Sequence, residues 1–231
     1  MSQSIVISRK SLVLSKLRDY QQLAKMRLTF TVVLSAVFGF LIAVPAAIDW
    51  VSLTALITGG FLVVAASNGL NQIIEKDFDK LMVRTQNRPI AQGRMSVVEA
   101  LIFCLVAGIS GVLILGHYLN ELSAWLGFAA LFSYSFIYTP LKRISPIAVF
   151  VGAFPGAIPP LLGWAAATGH ISAAAIALFA LQFFWQFPHF WAIAWILDDD
   201  YKRAGFRLLP SKKGADRKTA IYMIWYIFVL I

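Results

Sequence analysis

The stretch FLVVAASNGLNQIIEKDFDK, from Phe61 to Lys80, joins an apolar run to a dense group of charges. Between Asp49 and Glu75 lie 25 uncharged residues, and a helix needs about 20 predominantly apolar residues to cross the hydrocarbon core of a bilayer. The stretch therefore predicts a transmembrane helix that ends in a cluster of acids.

The same length criterion predicts further spans on both sides of this helix. Uncharged runs of 21, 21 and 20 residues precede Asp49, Glu121 and Lys142. A run of 54 uncharged residues from Ile144 to Leu197 is interrupted by the polar turn ATGHIS, which favours a helical hairpin. With 59% hydrophobic residues and a mean hydropathy of +0.75, the chain is predicted to be an all-α polytopic membrane protein with six full spans.

Two segments differ from these full spans. Residues 1–27 are predicted to form a cytoplasmic N-terminal segment, either a short amphipathic helix on the membrane surface or a disordered tail. The apolar segment from Thr219 to Ile231 holds 13 residues, which rise only about 20 Å as a helix. We therefore expect residues 28–231 to be a single transmembrane domain that is C-terminally incomplete, with a truncated seventh span and little activity of its own.

The basic residues lie on one side of these predicted spans. Six of the 20 precede the first span, five lie between Lys76 and Arg94, two are Lys142 and Arg143, and seven run from Lys202 to Lys218. Because basic loops stay cytoplasmic, the N-terminus and the charged loops are predicted to face the cytoplasm from a bacterial inner membrane. The net charge of +9 fits contact with the anionic leaflet of a lipid bilayer and gives no indication of nucleic acid binding.

Three polar side chains of the opening stretch share one helical face. At about 100° per residue, Asn71, Glu75 and Asp79 fall on that face, whereas Asp77 lies off it. Carboxylates brought together at the membrane edge repel one another, and a shared cation relieves this repulsion. Oxygen donors of this kind favour Mg²⁺. The alternative is a solvated acidic helix end that neighbouring lysines balance.

A second acidic cluster follows the sixth predicted span. The segment WILDDDYKRAGFRLLP places Asp198, Asp199 and Asp200 on the same side of the membrane as the first cluster. Basic side chains beside bound metal are suited to hold a lipid-linked diphosphate and to stabilise it as a leaving group. The basic candidates are Arg84, Arg88, Arg94, Lys142, Arg143, Lys202 and Arg203. The alternative is that these bases only set the orientation in the membrane.

Five ordered blocks of the sequence resemble a known family. They are Asn71-x-x-x-Glu75-x-x-x-Asp79, the segments RT and NRP at Arg84 and Asn87, YTPLKR at Tyr138, GAFPGAIPPLLGW at Gly152, and HFWAIAW with DDDYKRAG. Together they resemble the UbiA superfamily of intramembrane prenyltransferases, in the branch that farnesylates haem. The resemblance runs from about Arg27 to the end of the sequence and implies a UbiA-like transmembrane helical bundle, with nine helices in the complete family fold.

The resemblance also implies a reaction and its participants. A farnesyl group passes from farnesyl diphosphate to the vinyl group of protohaem IX (haem B) to make haem O, with Mg²⁺ bridging the diphosphate. Contact with haem A synthase or oxidase assembly proteins is implied as well. The implied catalytic residues are Asn71, Glu75, Asp79, Asp199 and Asp200, with the four carboxylates as metal ligands. The implied substrate-binding residues are Arg84, Arg88, Lys142, Arg143, Lys202 and His189.

Two positions depart from the usual superfamily motifs. Glu75 stands where the first acid is usually aspartate, which keeps the oxygen ligand but extends its reach. Ile196 stands four residues before Asp200, where the second superfamily motif, DxxxD, has an acid. The haem-modifying branch resembles this chain in its consecutive acids before a tyrosine, so Asp199 and Asp200 are the favoured ligands of the second cluster.

Span six carries a polar stripe of Gln182, Gln186 and His189. If the helix continues past Pro188 without a kink, Asp200 returns to nearly the same face. Polar groups at membrane depth usually face a cavity or a partner helix. His189 is therefore interpreted either as a helix–helix hydrogen-bonding residue or as a contact for haem or another substrate.

Other classes of protein remain as alternatives. A UbiA-type prenyltransferase that acts on a quinone precursor is the nearest. A secondary transporter also has many spans, but its substrate site is expected near the membrane midplane in broken helices. A CDP-alcohol phosphotransferase also uses aspartates at the membrane edge, but its DG-x-x-AR pattern is missing.

Overall fold

Helices make up the fold. The computed structural model of the chain describes residues 9–44, 47–211 and 213–231. Six helices are long and apolar enough to cross a membrane: α2 (Met26–Ala43), α3 (Trp50–Asp79), α4 (Val97–Tyr118), α5 (Glu121–Leu141), α6 (Ala148–Thr168) and α7 (Ala173–Ile196). Three are shorter: α1 (Arg9–Leu23), α8 (Asp198–Arg203) and α9 (Arg217–Val229). The predicted all-α class and the six spans are confirmed, and no strand occurs in the described ranges.

Successive spans run antiparallel, and except for the loop of residues 80–96 the connections between them are short. The predicted hairpin is confirmed: α6 ends at Gly169, whose φ is 73°, and the side chain of Ser172 caps α7. Helices α3, α5 and α7 therefore end where α2, α4 and α6 begin. We call this end of the bundle the site end, because it carries the loop of residues 80–96, the residues after α5, and α8.

Small residues let the spans approach closely. A Cβ atom at Gly163 of α6 would collide with the carbonyl oxygen of Ala36 in α2, and one at Gly39 would collide with the carbonyl of Pro160. Glycine contacts of this kind give close backbone packing between membrane helices, where hydrophobic burial against lipid supplies little driving force. Helix α6 is accordingly enclosed by its neighbours and anchors the bundle.

Helix α5 contains a π-helical stretch, Ser133–Tyr138, before its last turn. Tyr134 and Tyr138 both lie in this stretch, with their ring centroids 5.3 Å apart. A Cβ atom at Gly152 of α6 would stand 2.6 Å from the Tyr138 ring, so glycine makes room for this ring. π-helical turns often mark functional sites.

Helix α7 does not continue into the acidic cluster, so the condition under which Asp200 would share the polar face of Gln182, a helix without a break, is not met. The helix passes through Pro188 and ends at Ile196, and Leu197 has φ −104° and ψ 16°. The short helix α8 then starts at Asp198. The break lies beyond the proline, at a residue with no turn signal of its own.

The remaining helices lie against the site end and against α7. Helix α1 forms in part of the segment for which a surface helix and a disordered tail were both considered, so Arg9–Leu23 is helical. Its place on the membrane surface stays a prediction. Helix α9 is 13 residues long, shorter than a full span as expected. It packs on α7 through Tyr226, whose ring centroid is 4.5 Å from that of Phe187.

Candidate active site

A polar cavity of about 130 Å³ opens at the site end. It is bounded by the junction of α1 and α2, the ends of α3 and α5, the loop of residues 80–96, and the segment around α8. We call it the polar cavity. Its lining residues are Lys25, Asn71, Glu75, Asp79, Met82, Arg84, Arg88, Tyr134, Tyr138, Lys142, Tyr201 and Phe206.

The oxygen-rich face predicted on α3 lines this cavity. Asn71, Glu75 and Asp79 are spaced one helical turn apart and are 1%, 3% and 0% exposed. The Asn71 amide donates a hydrogen bond to Glu75 Oε2 at 2.9 Å and another to Thr139 Oγ1 at 3.3 Å. Asp77 points away from the face, is exposed, and pairs with Lys80. The prediction from the four-residue spacing is therefore confirmed: Asn71, Glu75 and Asp79 share one face, and Asp77 lies off it.

Basic residues neutralise both buried carboxylates. Arg88 Nη1 lies 2.7 Å from each oxygen of Asp79. Lys142 Nζ lies 2.5 Å from Glu75 Oε1. A buried charge without a partner is strongly destabilising, so these contacts explain why two acids tolerate such a depth.

The cavity nevertheless keeps an excess of positive charge. Four basic residues line it, Lys25, Arg84, Arg88 and Lys142, against the two acids Glu75 and Asp79, which gives a formal charge of +2. Such a concave, partly buried site attracts anions.

Aromatic rings support the bases that line the cavity. Lys142 Nζ lies 4.9 Å from the centroid of Tyr138, and the guanidinium carbon of Arg84 lies 5.9 Å from that of Tyr201. Ring faces attract cations without removing their charge. These bases are therefore held near the cavity while they remain able to bind an anion.

Lys25 reaches the cavity from the junction of α1 and α2. Its Nζ donates to Asn71 Oδ1 at 3.2 Å. Burial disfavours the ammonium form, and Arg88 and Lys142 lie close, so the pKa of Lys25 is well below its usual value. An anion in the cavity would counteract this destabilisation of the charged lysine.

The second acidic cluster lies outside the cavity lining. Asp200 is buried, and its two oxygens accept hydrogen bonds from the backbone N–H groups of Val83 at 2.8 Å and Arg84 at 3.1 Å. Burial alone would raise the pKa of the Asp200 carboxyl, but these N–H groups, first that of Arg84, hold the pKa below its usual value. Asp200 thus ties α8 to the loop that carries Arg84.

The two neighbouring aspartates are more accessible. Asp199 is exposed, and Asp198 pairs with Lys202 at 2.7 Å. Across the described ranges, no group of three or more histidine, cysteine, aspartate or glutamate residues is arranged to hold a metal. The assignment of Asp199 and Asp200 as metal ligands therefore stays a prediction.

His189 lies away from the polar cavity. Its ring stacks on Trp185 of the same helix, with centroids 4.4 Å apart. The hydrogen bond between α7 and α6 is made by Gln186, which donates to the carbonyl of Ala153 at 3.0 Å. The helix–helix contact expected for the polar stripe thus belongs to Gln186, and a substrate role for His189 stays a prediction.

The chain is similar in sequence to proteins of a known family. The model of the UbiA prenyltransferase family matches residues 32–231. The chain belongs to the UbiA prenyltransferase family. Protoheme IX farnesyltransferases from Cytophaga hutchinsonii and Christiangramia forsetii are 47% and 50% identical to it, over 94% and 92% of this chain and 76% and 70% of theirs.

Solved structures agree with this family at the level of the fold. A UbiA homolog from Archaeoglobus fulgidus bound to GPP and Mg²⁺ superposes with a TM-score of 0.75 at 17% identity, covering 92% of this chain and 75% of that one. The same homolog bound to DMAPP and Mg²⁺ gives a TM-score of 0.69 at 16% identity, covering 92% and 72%. The expected UbiA-like helical bundle is therefore confirmed.

The lining of this UbiA cavity fits Mg²⁺ chemically. Glu75 Oε1 is buried and pairs with the Lys142 ammonium, and Asp79 and Asn71 add further oxygens on the same face. Mg²⁺ is commonly held by one or two carboxylates, with phosphate oxygens and water completing its shell. Glu75 and Asp79 match this pattern of ligands.

Several lining residues were not among the predicted site residues. Lys25 was counted only as one of the bases that precede the first span, and its projection into the cavity depends on the α1–α2 junction. Tyr134 and Tyr138 reach the cavity through the π-helical stretch, which no spacing rule reveals. Tyr201 and Phe206 arrive because the chain turns back after α8.

Metal binding is expected to depend on a bound anion. The formal charge of +2 repels a lone divalent cation, and two unit charges about 4 Å apart interact by about 4 kcal/mol near a protein surface. We expect Mn²⁺, as a substitute for Mg²⁺, to bind at least about tenfold more tightly with inorganic diphosphate than alone. Electron paramagnetic resonance measures both affinities, corrected for Mn²⁺ complexed in solution.

Lys142→Gln removes one positive charge and is expected to strengthen the binding of Mn²⁺ alone. Lys80→Gln is the control, because Lys80 is exposed, pairs with Asp77 and lies outside the cavity lining. Equal Mn²⁺ affinity with and without diphosphate would contradict the charge count.

The lowered pKa of Lys25 predicts a pH dependence of anion binding. The ammonium is charged below its pKa, so affinity for inorganic diphosphate should fall as the pH rises through that value, before the usual lysine range near ~10.4. Binding favours the charged form, so protons should be taken up in this interval. Calorimetry in buffers of different ionisation enthalpy measures that uptake.

Lys25→Arg is the matched variant, because arginine stays protonated throughout this range. Its affinity should persist to higher pH than that of the native chain. Glu75, Asp79, Arg88, Lys142 and the diphosphate itself are shared by both proteins, so their titration cancels in the comparison. Superimposable pH profiles would show that Lys25 does not bind the anion.

Proposed function

We propose that the chain transfers a farnesyl group from farnesyl diphosphate to the vinyl group of protohaem IX (haem B), forming haem O with the help of Mg²⁺. The observation that carries this proposal is a buried, positively charged cavity with two carboxylates at the end of a membrane bundle. The UbiA family and relatives named protoheme IX farnesyltransferases support it.

In this proposal, the cavity residues bind the diphosphate of the donor. Glu75 and Asp79 would hold the cation, and Asn71 orients Glu75 through its hydrogen bond. Lys25, Arg84, Arg88 and Lys142 contact the diphosphate oxygens. Bound Mg²⁺ supplies positive charge that stabilises the departing diphosphate.

The transfer needs a dry site with aromatic walls. The bond between the farnesyl carbon and the diphosphate oxygen breaks, and its electron pair leaves with the diphosphate. The vinyl π electrons then form the new carbon–carbon bond, water adds to the resulting cation, and a proton is lost. Tyr134 and Tyr138 face the cavity, where their rings stabilise the allylic cation by cation–π attraction.

A different basic residue is suited to the acceptor. Arg143 is exposed and lies outside the cavity lining, with its guanidinium carbon 4.0 Å from the centroid of the Phe78 ring. It is adjacent in sequence to Lys142, which faces the cavity. We therefore assign Arg143 to a propionate carboxylate of haem B and not to the diphosphate. From the sequence alone, Arg143 is instead grouped with the basic candidates for binding the diphosphate.

The proposed orientation follows from the basic loops. The site end carries the loops in which the 20 lysine and arginine residues concentrate, so we place it at the cytoplasmic face of the inner membrane. Lys202 and His189 remain proposed substrate contacts, and haem A synthase or oxidase assembly proteins remain proposed partners.

The alternatives receive less support. The relatives are named for protohaem, which favours haem B over a quinone precursor as the acceptor. The polar cavity lies at one end of the bundle, whereas a transporter is expected to bind its substrate near the midplane.

The main test is product formation from haem B, farnesyl diphosphate and Mg²⁺, with the chain in membranes at single-turnover concentrations. Mass spectrometry should detect haem that carries a farnesyl group and one added water. Glu75→Gln and Asp79→Asn should lower the rate by roughly 100-fold or more, as expected when a group that stabilises developing charge is lost.

Asp77→Asn is the matched control, because Asp77 lies on the same helix but is exposed and pairs with Lys80. Its rate should stay within about twofold of the native rate, as for a surface substitution. Prenylation of a quinone precursor without any haem product would reject haem B as the acceptor.

The division of the basic residues gives a second test. Arg143→Gln should weaken the binding of haem B by roughly tenfold, as expected for the loss of a charge-assisted hydrogen bond, and should leave binding of non-reactive farnesyl thiodiphosphate unchanged. Lys142→Gln should do the reverse. Haem titrations followed by absorbance and calorimetry measure the two affinities.

Haem B dimethyl ester is the control ligand because it lacks the propionate charges. Its affinity should be insensitive to Arg143→Gln. If the ester and the free acid lose affinity equally, Arg143 contacts some other part of the haem.

A further inference from the structure

The carbonyl groups at the end of α1 are held by two side chains of α3. Gln72 Nε2 donates to the carbonyl oxygens of Leu23 at 2.8 Å and Gln22 at 3.2 Å. Asn68 Nδ2 donates to the carbonyl oxygen of Ala24 at 3.3 Å. Terminal carbonyls of a helix lack partners within the helix. Gln72 pairs the Leu23 carbonyl, and the amides add a second donor to the carbonyls of Gln22 and Ala24, which also accept from the Lys25 N–H and the Thr29 hydroxyl.

This contact surrounds an unusual backbone conformation. Lys25 has φ 49° and ψ 56° and is the non-glycine residue with positive φ in the described ranges. Thr29 Oγ1 donates to the Ala24 carbonyl at 2.6 Å and accepts from Asn68 at 3.1 Å, which closes the turn. Left-handed backbone persists in a side-chain-bearing residue only where its surroundings enforce it.

The same turn aims Lys25 at the polar cavity. Lys25 Nζ reaches Asn71 Oδ1, and Asn71 is the neighbour of Gln72 on α3. Asn68 and Gln72 are 2% and 1% exposed and are absent from the cavity lining. They are buried amides that touch the Lys25 turn and not the cavity.

We propose that Asn68 and Gln72 are positioning residues that hold the α1–α2 junction so that Lys25 points its ammonium at the diphosphate. This inference rests on the proposed function for the identity of the anion. The two amides donate to backbone carbonyls and, for Asn68, to the Thr29 hydroxyl, and neither lines the cavity, so their effect on the anion passes through Lys25. Both also fasten α1 to α3, and the experiment separates this structural role from the positioning role.

The test is a double-mutant cycle on diphosphate affinity. Gln72→Met keeps the side-chain length but removes the donor to Leu23 and Gln22. With Lys25 present, it should weaken the binding of inorganic diphosphate with Mg²⁺ by about tenfold, as expected for a displaced charged contact. In the Lys25→Met background, the same substitution should change the affinity by less than about twofold.

Gln186→Met is the matched control. Gln186 is also a buried glutamine bonded to a backbone carbonyl of another helix, that of Ala153, and it does not line the cavity. It should lower thermal stability without changing diphosphate affinity. If Gln72→Met fails to insert, Asn68→Ser is the milder variant for the same cycle.

Two outcomes overturn the proposal. In the first, Gln72→Met and Asn68→Ser leave the affinity unchanged. In the second, either variant weakens binding equally in both Lys25 backgrounds, which indicates general damage. Failure of the proposed function has a different readout: diphosphate binds normally and the cycle behaves as expected, but no farnesylated haem forms.

Discussion

Two carboxylates are buried at one end of a membrane bundle, and each needs a positively charged partner. The neighbouring structure supplies these partners. Glu75 and Asp79 lie at 3% and 0% exposure, where an uncompensated charge would be destabilised by several kcal/mol. Each therefore has a cation of its own, Lys142 from the end of α5 and Arg88 from the loop after α3. The positions of that loop and of α5 follow from the need to bring these cations to α3.

Local irregularities in the backbone surround the same cavity. Lys25 has a left-handed backbone, Ser133–Tyr138 forms a π-helical stretch, and α7 breaks at Leu197. Each departs from regular helix where a side chain must reach the cavity or a loop must be fixed beside it. Departures from local rules are expected at functional sites, because the surrounding packing compensates for their cost.

The sequence predicted the features that depend on spacing along one helix. Span lengths followed from uncharged runs, and the shared face of Asn71, Glu75 and Asp79 followed from a separation of four residues. Features that depend on how two segments meet were missed. Lys25 looked like any base before a first span, and Asp200 was extrapolated along a helix that in fact ends at Ile196.

The contacts of the cavity also suggest why its bases are arranged as ion pairs. Arg88 and Lys142 pair with Asp79 and Glu75. In the proposed function, the two carboxylates would hold the divalent cation, and Arg88 and Lys142 would then be free to contact the diphosphate. The same side chains would thus pair first with the carboxylates and then with the leaving group. Because the cavity has two more bases than acids, positive charge remains for the anion after the carboxylates are neutralised.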